Sequence, residues 1–290
     1  MNTTVASFGQ SDHPPRGDYS HIAADYTCAQ DWHAYTSDQH ELYRRLFARQ
    51  IKLARKHASV TFLHALERLH AAAHIPRFDS VSEQLQRAAG WQIVPVPGLI
   101  PEAAFFSLLA ARKFPITTWL REPEEFDYIV EPDLFHDFFG HVPLLFEPVF
   151  ADTMQAYGVG ALKALQTNHT HYWARFYWRT IEFGLIRNEH GLRAYGAGLL
   201  SSPAELPYSV TASVTSPIPH RIPFELERVL RTQYRIDRFQ DCYFVIESLE
   251  QLRDALSSDF TPLYQHLTAL EELAPDVLLP HETDYPPNPV

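Results

Sequence analysis

The chain has 290 residues, of which 46% are hydrophobic and 20% charged. That is the balance of a folded soluble protein, and it excludes a wholly disordered chain. With 35 acidic and 24 basic residues the formal net charge is −11, so the surface repels phosphate backbones and argues against general nucleic-acid or anionic-membrane binding.

Residues 1–20 are polar, with Pro14, Pro15 and Gly17 and no periodicity; they are expected to form a mobile arm. They contain no apolar signal core, and no apolar run anywhere approaches the roughly 18 residues of a membrane span. Cys28 and Cys242 are too few for a disulfide framework and fit a reducing compartment. A cytoplasmic location is therefore expected.

With neither internal repeat nor long linker, residues 21–275 read as one domain. Tyr43, Phe47, Ile51, Ala54 and Ala58 recur at helical spacing, and Phe62, Leu63, Leu66 and Leu69 repeat the pattern. Ser80 with Glu83 has the form of a capping box, and Gly90 is a plausible stop for the helix it opens. Gln92 to Gly98 must be extended, because Pro95 and Pro97 forbid a helix. Further helices are expected over Pro101–Arg112, from Phe150 through Tyr157, over Tyr172–Ile186 and over Phe224–Arg231. Cys242–Ser248 is the best strand. Leu192 to Leu206 reads as a plain turn between a strand and a loop, and residues 276–290 as an extended, proline-broken tail. The fold class is mostly α with a minor β element.

The 16 histidines are the first hint of chemistry. In EPDLFHDFFGHVPLL (Glu131–Leu145), His136 and His141 are five residues apart within an apolar run. On an ideal α-helix that spacing separates them by about 140°, so Gly140 and Pro143 are expected to bend the backbone and bring the rings together. In FYWRTIEFGL, Glu182 stands among aromatic and aliphatic neighbours. A carboxylate there needs either an ion pair, with Arg179 or Arg175 as candidates, or a metal. Two His and one Glu match a facial triad for Fe(II) with open positions. Glu67, His70 and His74 form a rival set at helical spacing, read as a solvated face. His169 and His171 look like loop residues. There is no H-E-x-x-H, no P-loop, no Rossmann glycine fingerprint and no nucleophile elbow.

EPDLFHDFFGHVPLL, FYWRTIEFGL and YGAGLLSS, in that order and at those separations, resemble the pterin-dependent aromatic amino acid hydroxylases, and most of all the bacterial phenylalanine 4-monooxygenases. The likeness runs from about Asp25 to about Ser248 and takes in DYTCAQDWHAY, RQIKLARKHA, GWQIVPVPGLIP and DYIVEPD. It implies a mostly helical catalytic domain that binds one Fe(II) through His136, His141 and Glu182. It implies a tetrahydropterin lying against Gly98, Leu99 and Ile100, with Phe105 as a stacking ring and Asp137, Ala174 and Tyr177 nearby. It further implies an amino-acid site in which Arg121 grips the carboxylate in a bidentate pair. Trp178, Phe183, Gly198 and Ser201 would line the ring pocket, with Glu205 nearby and Ile129 at a position where animal members have threonine. Asp137 is one carbon shorter than the acid of those members. The implied reaction is hydroxylation of L-phenylalanine to L-tyrosine by O2 and the tetrahydropterin, chemistry that needs a cofactor because no side chain can oxidise a benzene ring. The chain leaves no room for the family's regulatory domain and lacks its tetramerising helix, so a monomer is expected. Tryptophan or tyrosine hydroxylation is the alternative within the family, and a non-catalytic iron-binding protein the alternative outside it.

Overall fold

The computed structural model describes residues 15–211 and 219–289; residues 1–14 of the expected arm lie outside that range. Helix α1, Ser37–His57, opens on a capping box in which the Thr36 hydroxyl accepts the Gln39 N–H at 3.2 Å and the Gln39 side chain accepts the Thr36 N–H at 3.0 Å. Its buried stripe holds Tyr43, Leu46, Phe47 and Ala54, with Ile51 packed half-buried beside it. Each large apolar side chain buried in this way contributes about 1.5–3 kcal/mol. Helix α2, Val60–Leu69, is capped by Ser59 and stops where His70 turns left-handed at φ 47°.

Helix α3 spans Phe78–Ala89 and starts two residues before Ser80, so the expected capping box is not its cap. The Phe78 N–H donates instead to the Gln30 side chain at 2.9 Å, and Asp79 takes the Ser80 N–H at 2.7 Å. A cap supplied by a remote segment, plus the burial of Phe78, moves the helix start upstream. Gly90 closes the helix at φ 70°, a conformation that glycine adopts without steric cost.

Strand β1, Gln92–Val96, pairs in parallel with β2, Lys113–Thr117, and α4, Glu102–Ala110, makes the crossover. A π-helical segment at His136–His141 and a 3₁₀ turn at Pro143–Phe146 lead into α5, Pro148–Gln166. Helix α6, Thr170–Tyr177, passes directly into a second π-helical segment, Trp178–Glu182. The helix expected to reach Ile186 therefore ends four residues early. Gly184 marks the break, since a Cβ there would lie 2.2–2.3 Å from Tyr195 and the Thr180 carbonyl, and Ile186 belongs to a strand.

That strand is β3, Leu185–Asn188, which pairs antiparallel with β4, Gly191–Ala194. Two short helices follow, α7, Ala197–Ser201, and α8, Glu205–Val210, where only a turn was expected. After them come β5, His220–Pro223, α9, Leu226–Arg231, and β6, Cys242–Ile246, the expected strand, followed by α10, Leu249–Leu256, and α11, Phe260–Thr268. The second sheet has the order β4-β3-β6-β5. The tail is extended and docked: the Asn288 N–H donates to the Val210 carbonyl at 2.8 Å, and its side chain pairs with the Leu192 backbone.

From Pro15 onward the expected arm makes contacts with the body of the fold. Arg16 lies 4.1 Å over the Trp119 ring, its amide donates to Glu131 at 3.3 Å, and the Tyr19 hydroxyl donates to the Leu99 carbonyl at 2.8 Å. Polar composition concealed this strap because its partners are backbone groups and charges far along the chain. Among the described residues no helix is long and apolar enough to cross a membrane.

Candidate metal centre and its pocket

His136 and His141 come together because their segment is π-helical. In a helix with i→i+5 hydrogen bonds, residues five apart stack on one face, as residues four apart do in an α-helix. The backbone widens where the sequence led one to expect a bend. The two imidazoles meet at 5.3 Å between centroids and 80° between planes. Glu182 ends the other π-helical segment, where the Phe183 N–H reaches back five residues to the Trp178 carbonyl at 3.0 Å. Its carboxylate lies 3.1 Å from His141 Nε2 and 3.7 Å from His136 Nε2.

Among the described residues this is the one group of three or more potential ligands, its ligand atoms all within 4.8 Å of one another. Two imidazole nitrogens and one carboxylate are the donor set that suits a ferrous ion with vacant positions. The competing explanation for Glu182 fails. Arg179 is taken by the Cys242 carbonyl at 2.9 Å and by Gln233, and Arg175 by the Leu230 carbonyl at 3.0 Å and by Glu272. Glu67, His70 and His74 are all exposed, as expected of a solvated face. His169 stacks flat on Tyr264 at 4.2 Å, and His171 lies within α6.

Neighbours fix the ligands. Ser201 Oγ donates to the Ala197 carbonyl at 2.9 Å, so it accepts from His136 Nδ1 at 2.8 Å. That bond leaves Nε2 unprotonated and facing Glu182. Burial holds His136 below the ordinary imidazole pKa, although Glu182 pulls it upward. Burial alone would raise the Glu182 carboxyl; the His141 and His136 imidazoles and the Gly198 N–H outweigh it, and the net direction is down. A Cβ on Gly198 would lie 3.2 Å from the Glu182 Oε2 and 2.9 Å from the Phe183 ring, so glycine allows the backbone to approach the carboxylate this closely.

The positions matched to the pterin lie on the β1–α4 loop, on α4, on the first π-helical segment and on α6. Gly98, Leu99 and Ile100 follow β1 beneath the N-terminal strap, where a Cβ on Gly98 would sit 2.5 Å from the Arg16 carbonyl. Phe105 meets Tyr177 edge-on at 5.7 Å, and the His141 ring lies 6.1 Å from that of Tyr177. Ala174 is buried one helical turn before Tyr177. Asp137 accepts the Thr117 N–H at 2.8 Å, and burial raises its carboxyl.

The positions matched to the substrate are less uniform. Trp178 and Phe183 pack at 4.8 Å and 40°, beside Gly198. Ile129 is half-buried, between exposed Tyr128 and Val130. Arg121 is 3% exposed, and its Nε and Nη2 are bonded to Asp133 at 2.8 and 2.9 Å. Asp133 thus occupies one edge of the guanidinium, and no hydrogen bond is made by Nη1 among the described residues. Glu205 is buried, its Oε1 accepting from the Gln240 N–H at 2.9 Å and the Tyr243 hydroxyl at 2.8 Å.

Sequence reasoning gave no role to Asp133 or Thr117. Asp133 also accepts the His136 N–H at 2.9 Å, joining the arginine to the metal segment. Its signal was an acid in an apolar run, the same signal that exposed Glu182. Thr117 gave none, because it acts through its backbone.

Three comparisons with known proteins agree on one family. The family model for biopterin-dependent aromatic amino acid hydroxylases matches residues 10–268. The phenylalanine-4-hydroxylase of Ralstonia nicotianae is 50% identical over 250 residues, 86% of this chain and 79% of that protein. The phenylalanine-4-hydroxylase of Chromobacterium violaceum is 47% identical over 266 residues, 90% of this chain and 88% of that one. The crystal structure of the C. violaceum phenylalanine hydroxylase bound to cobalt superposes with a TM-score of 0.87 at 46% identity, covering 92% of this chain and 95% of that chain.

Proposed function

This chain belongs to the biopterin-dependent aromatic amino acid hydroxylases, and from that premise we propose that it converts L-phenylalanine to L-tyrosine with O2 and a tetrahydropterin at one ferrous ion. The observation that carries the reading is the largely buried His136–His141–Glu182 cluster, with the tautomer of His136 set by Ser201. Bound there, iron and the tetrahydropterin supply the activation of O2, which no amino-acid side chain can provide.

The chain's own residues bind and orient. His136 and His141 offer neutral Nε2 atoms and Glu182 an ionised oxygen. Phe105 and Tyr177 present aromatic surface to the pterin, while Gly98, Leu99 and Ile100 offer backbone groups and Asp137 a carboxyl held by Thr117. Asp133 locks one edge of Arg121, and the opposite edge is offered to the substrate carboxylate as a bidentate partner without a search through rotamers. Trp178 and Phe183 confine the ring beside Gly198, with Ile129 at the rim. Phe114, whose ring lies 4.8 Å from that of His141, and buried Phe138 and Phe139 keep bulk water from the centre. Residues 21–275 act as one catalytic domain in a cytoplasmic monomer.

The test is direct: supply Fe(II), a tetrahydropterin and phenylalanine under air, and assay tyrosine. Phenylalanine, tyrosine and tryptophan offered in parallel separate the activities within the family. Glu182→Ala is expected to lose both iron and turnover; full iron content and activity in that variant would refute the site.

A further inference from the structure

The indole of Trp178 is packed against two rings, Phe183 at 4.8 Å and Tyr234 at 4.9 Å, the latter at 21° between planes. Ring contacts of this kind limit tilt but tolerate sliding and rotation within the ring plane. A hydrogen bond at the ring nitrogen removes that freedom. Trp178 Nε1 donates to Gln240 Oε1 at 3.0 Å.

Gln240 is 3% exposed, and each end of its amide is held. Oε1 also accepts from Arg179 Nη1 at 3.4 Å. Nε2 donates to the Arg235 and Arg238 carbonyls at 3.0 and 3.5 Å. Two carbonyls at one end and two N–H donors at the other leave one sensible amide orientation, with oxygen toward the indole. The Gln240 N–H in turn donates to Glu205 at 2.9 Å, so the buried Glu205–Tyr243 pair anchors the amide from behind.

We propose that Gln240 is a positioning residue for hydroxylation: it fixes the Trp178 indole and so sets the slot that receives the substrate's ring. This rests on the reading above, in which Trp178 borders that slot. Gln240 touches neither the ligands nor the pterin positions, so its loss acts on the amino acid and not on the other two components.

The experiment compares Gln240→Leu, Trp178→Phe and the double variant with the wild type in the tyrosine-forming assay. Gln240→Leu is expected to raise KM for phenylalanine about fivefold to tenfold, the change associated with one lost buried hydrogen bond. KM for the tetrahydropterin and the iron content stay at wild-type values. In the Trp178→Phe background, where no indole N–H remains, Gln240→Leu adds nothing further. Independent effects of the two substitutions, or a parallel rise in pterin KM or loss of iron, overturn the proposal in favour of general structural damage. If Gln240→Leu does not accumulate as folded protein, Gln240→Met, of similar length and without an amide, carries the same expectations. A wild type that makes no tyrosine defeats the functional reading; a wild type that does, alongside an unaltered Gln240→Leu, defeats this proposal alone.

Discussion

Ser201 Oγ accepts a hydrogen bond from His136 Nδ1–H and donates one to the Ala197 carbonyl, so removing one hydroxyl frees the ring to rotate and to change tautomer. Ser201→Ala is expected to weaken iron binding by about 10- to 100-fold, the usual cost of losing such a partner. Chelator competition measures it, and an unchanged affinity would mean that packing alone holds the ring. Glu205 makes a different prediction. Burial lifts its pKa from 4.5 to about 7, against the pull of the Gln240 N–H and the Tyr243 hydroxyl. A group whose pKa is raised on folding stabilises the protein fully below its unfolded value and loses that contribution as pH rises through the folded value. Relative to Glu205→Gln, the wild type should therefore lose about 3 kcal/mol between pH 4.5 and pH 7. Urea midpoints of both proteins across that range test it, and a flat difference would show that Glu205 titrates normally. The proposed metal ligands were legible in the sequence because His and Glu are conspicuous in apolar runs. The duty of Glu205 was not, because Gln240 and Tyr243 reach it from a distant strand and loop.

The two π-helical segments explain a failure of periodicity. A count based on α-helical spacing set His136 and His141 on different faces, yet His136–His141 and Trp178–Glu182 both widen into i→i+5 bonding. Nothing in local propensity announces that change; it is held by tertiary contacts such as the Thr117 N–H on the Asp137 carboxylate. The start of α3 was misplaced for a similar reason, its cap coming from Gln30, whereas the box at Thr36 and the Gly90 stop are local. The strap from Arg16 to Tyr19 belongs to the same class. Burial pushes the Tyr19 phenol up to about 12, so it remains a donor to Leu99 at any working pH. Tyr19→Phe removes that tether, worth about 1 kcal/mol, from the loop proposed to hold the pterin. The expected outcome is a KM for tetrahydropterin raised about fivefold with KM for phenylalanine unchanged. Steady-state kinetics in each substrate decide it, and an unaltered pterin KM would show that the loop supports itself.

At the scale of the molecule, composition and pattern sufficed for a mostly helical domain with few strands, but not for the order β4-β3-β6-β5, which joins strands separated by long stretches of chain. The metal cluster likewise joins two distant segments, and it does so in a buried setting where Glu182 has no arginine partner. Iron binds such a cluster in the folded state and not in the unfolded chain, so it must add to stability. At a free Fe(II) concentration 100 times Kd the gain is about 2.7 kcal/mol. For a domain of roughly this size each kcal/mol moves Tm by about 2–4 °C, so anaerobic Fe(II) should raise the melting temperature by about 5–10 °C. Glu182→Gln keeps the side-chain shape while surrendering the charged oxygen, and should show little of that rise. Calorimetry on both proteins, with and without Fe(II), measures it. An equal rise in the variant would place the stabilising metal elsewhere on this acidic surface and detach the fold's stability from the His136–His141–Glu182 centre.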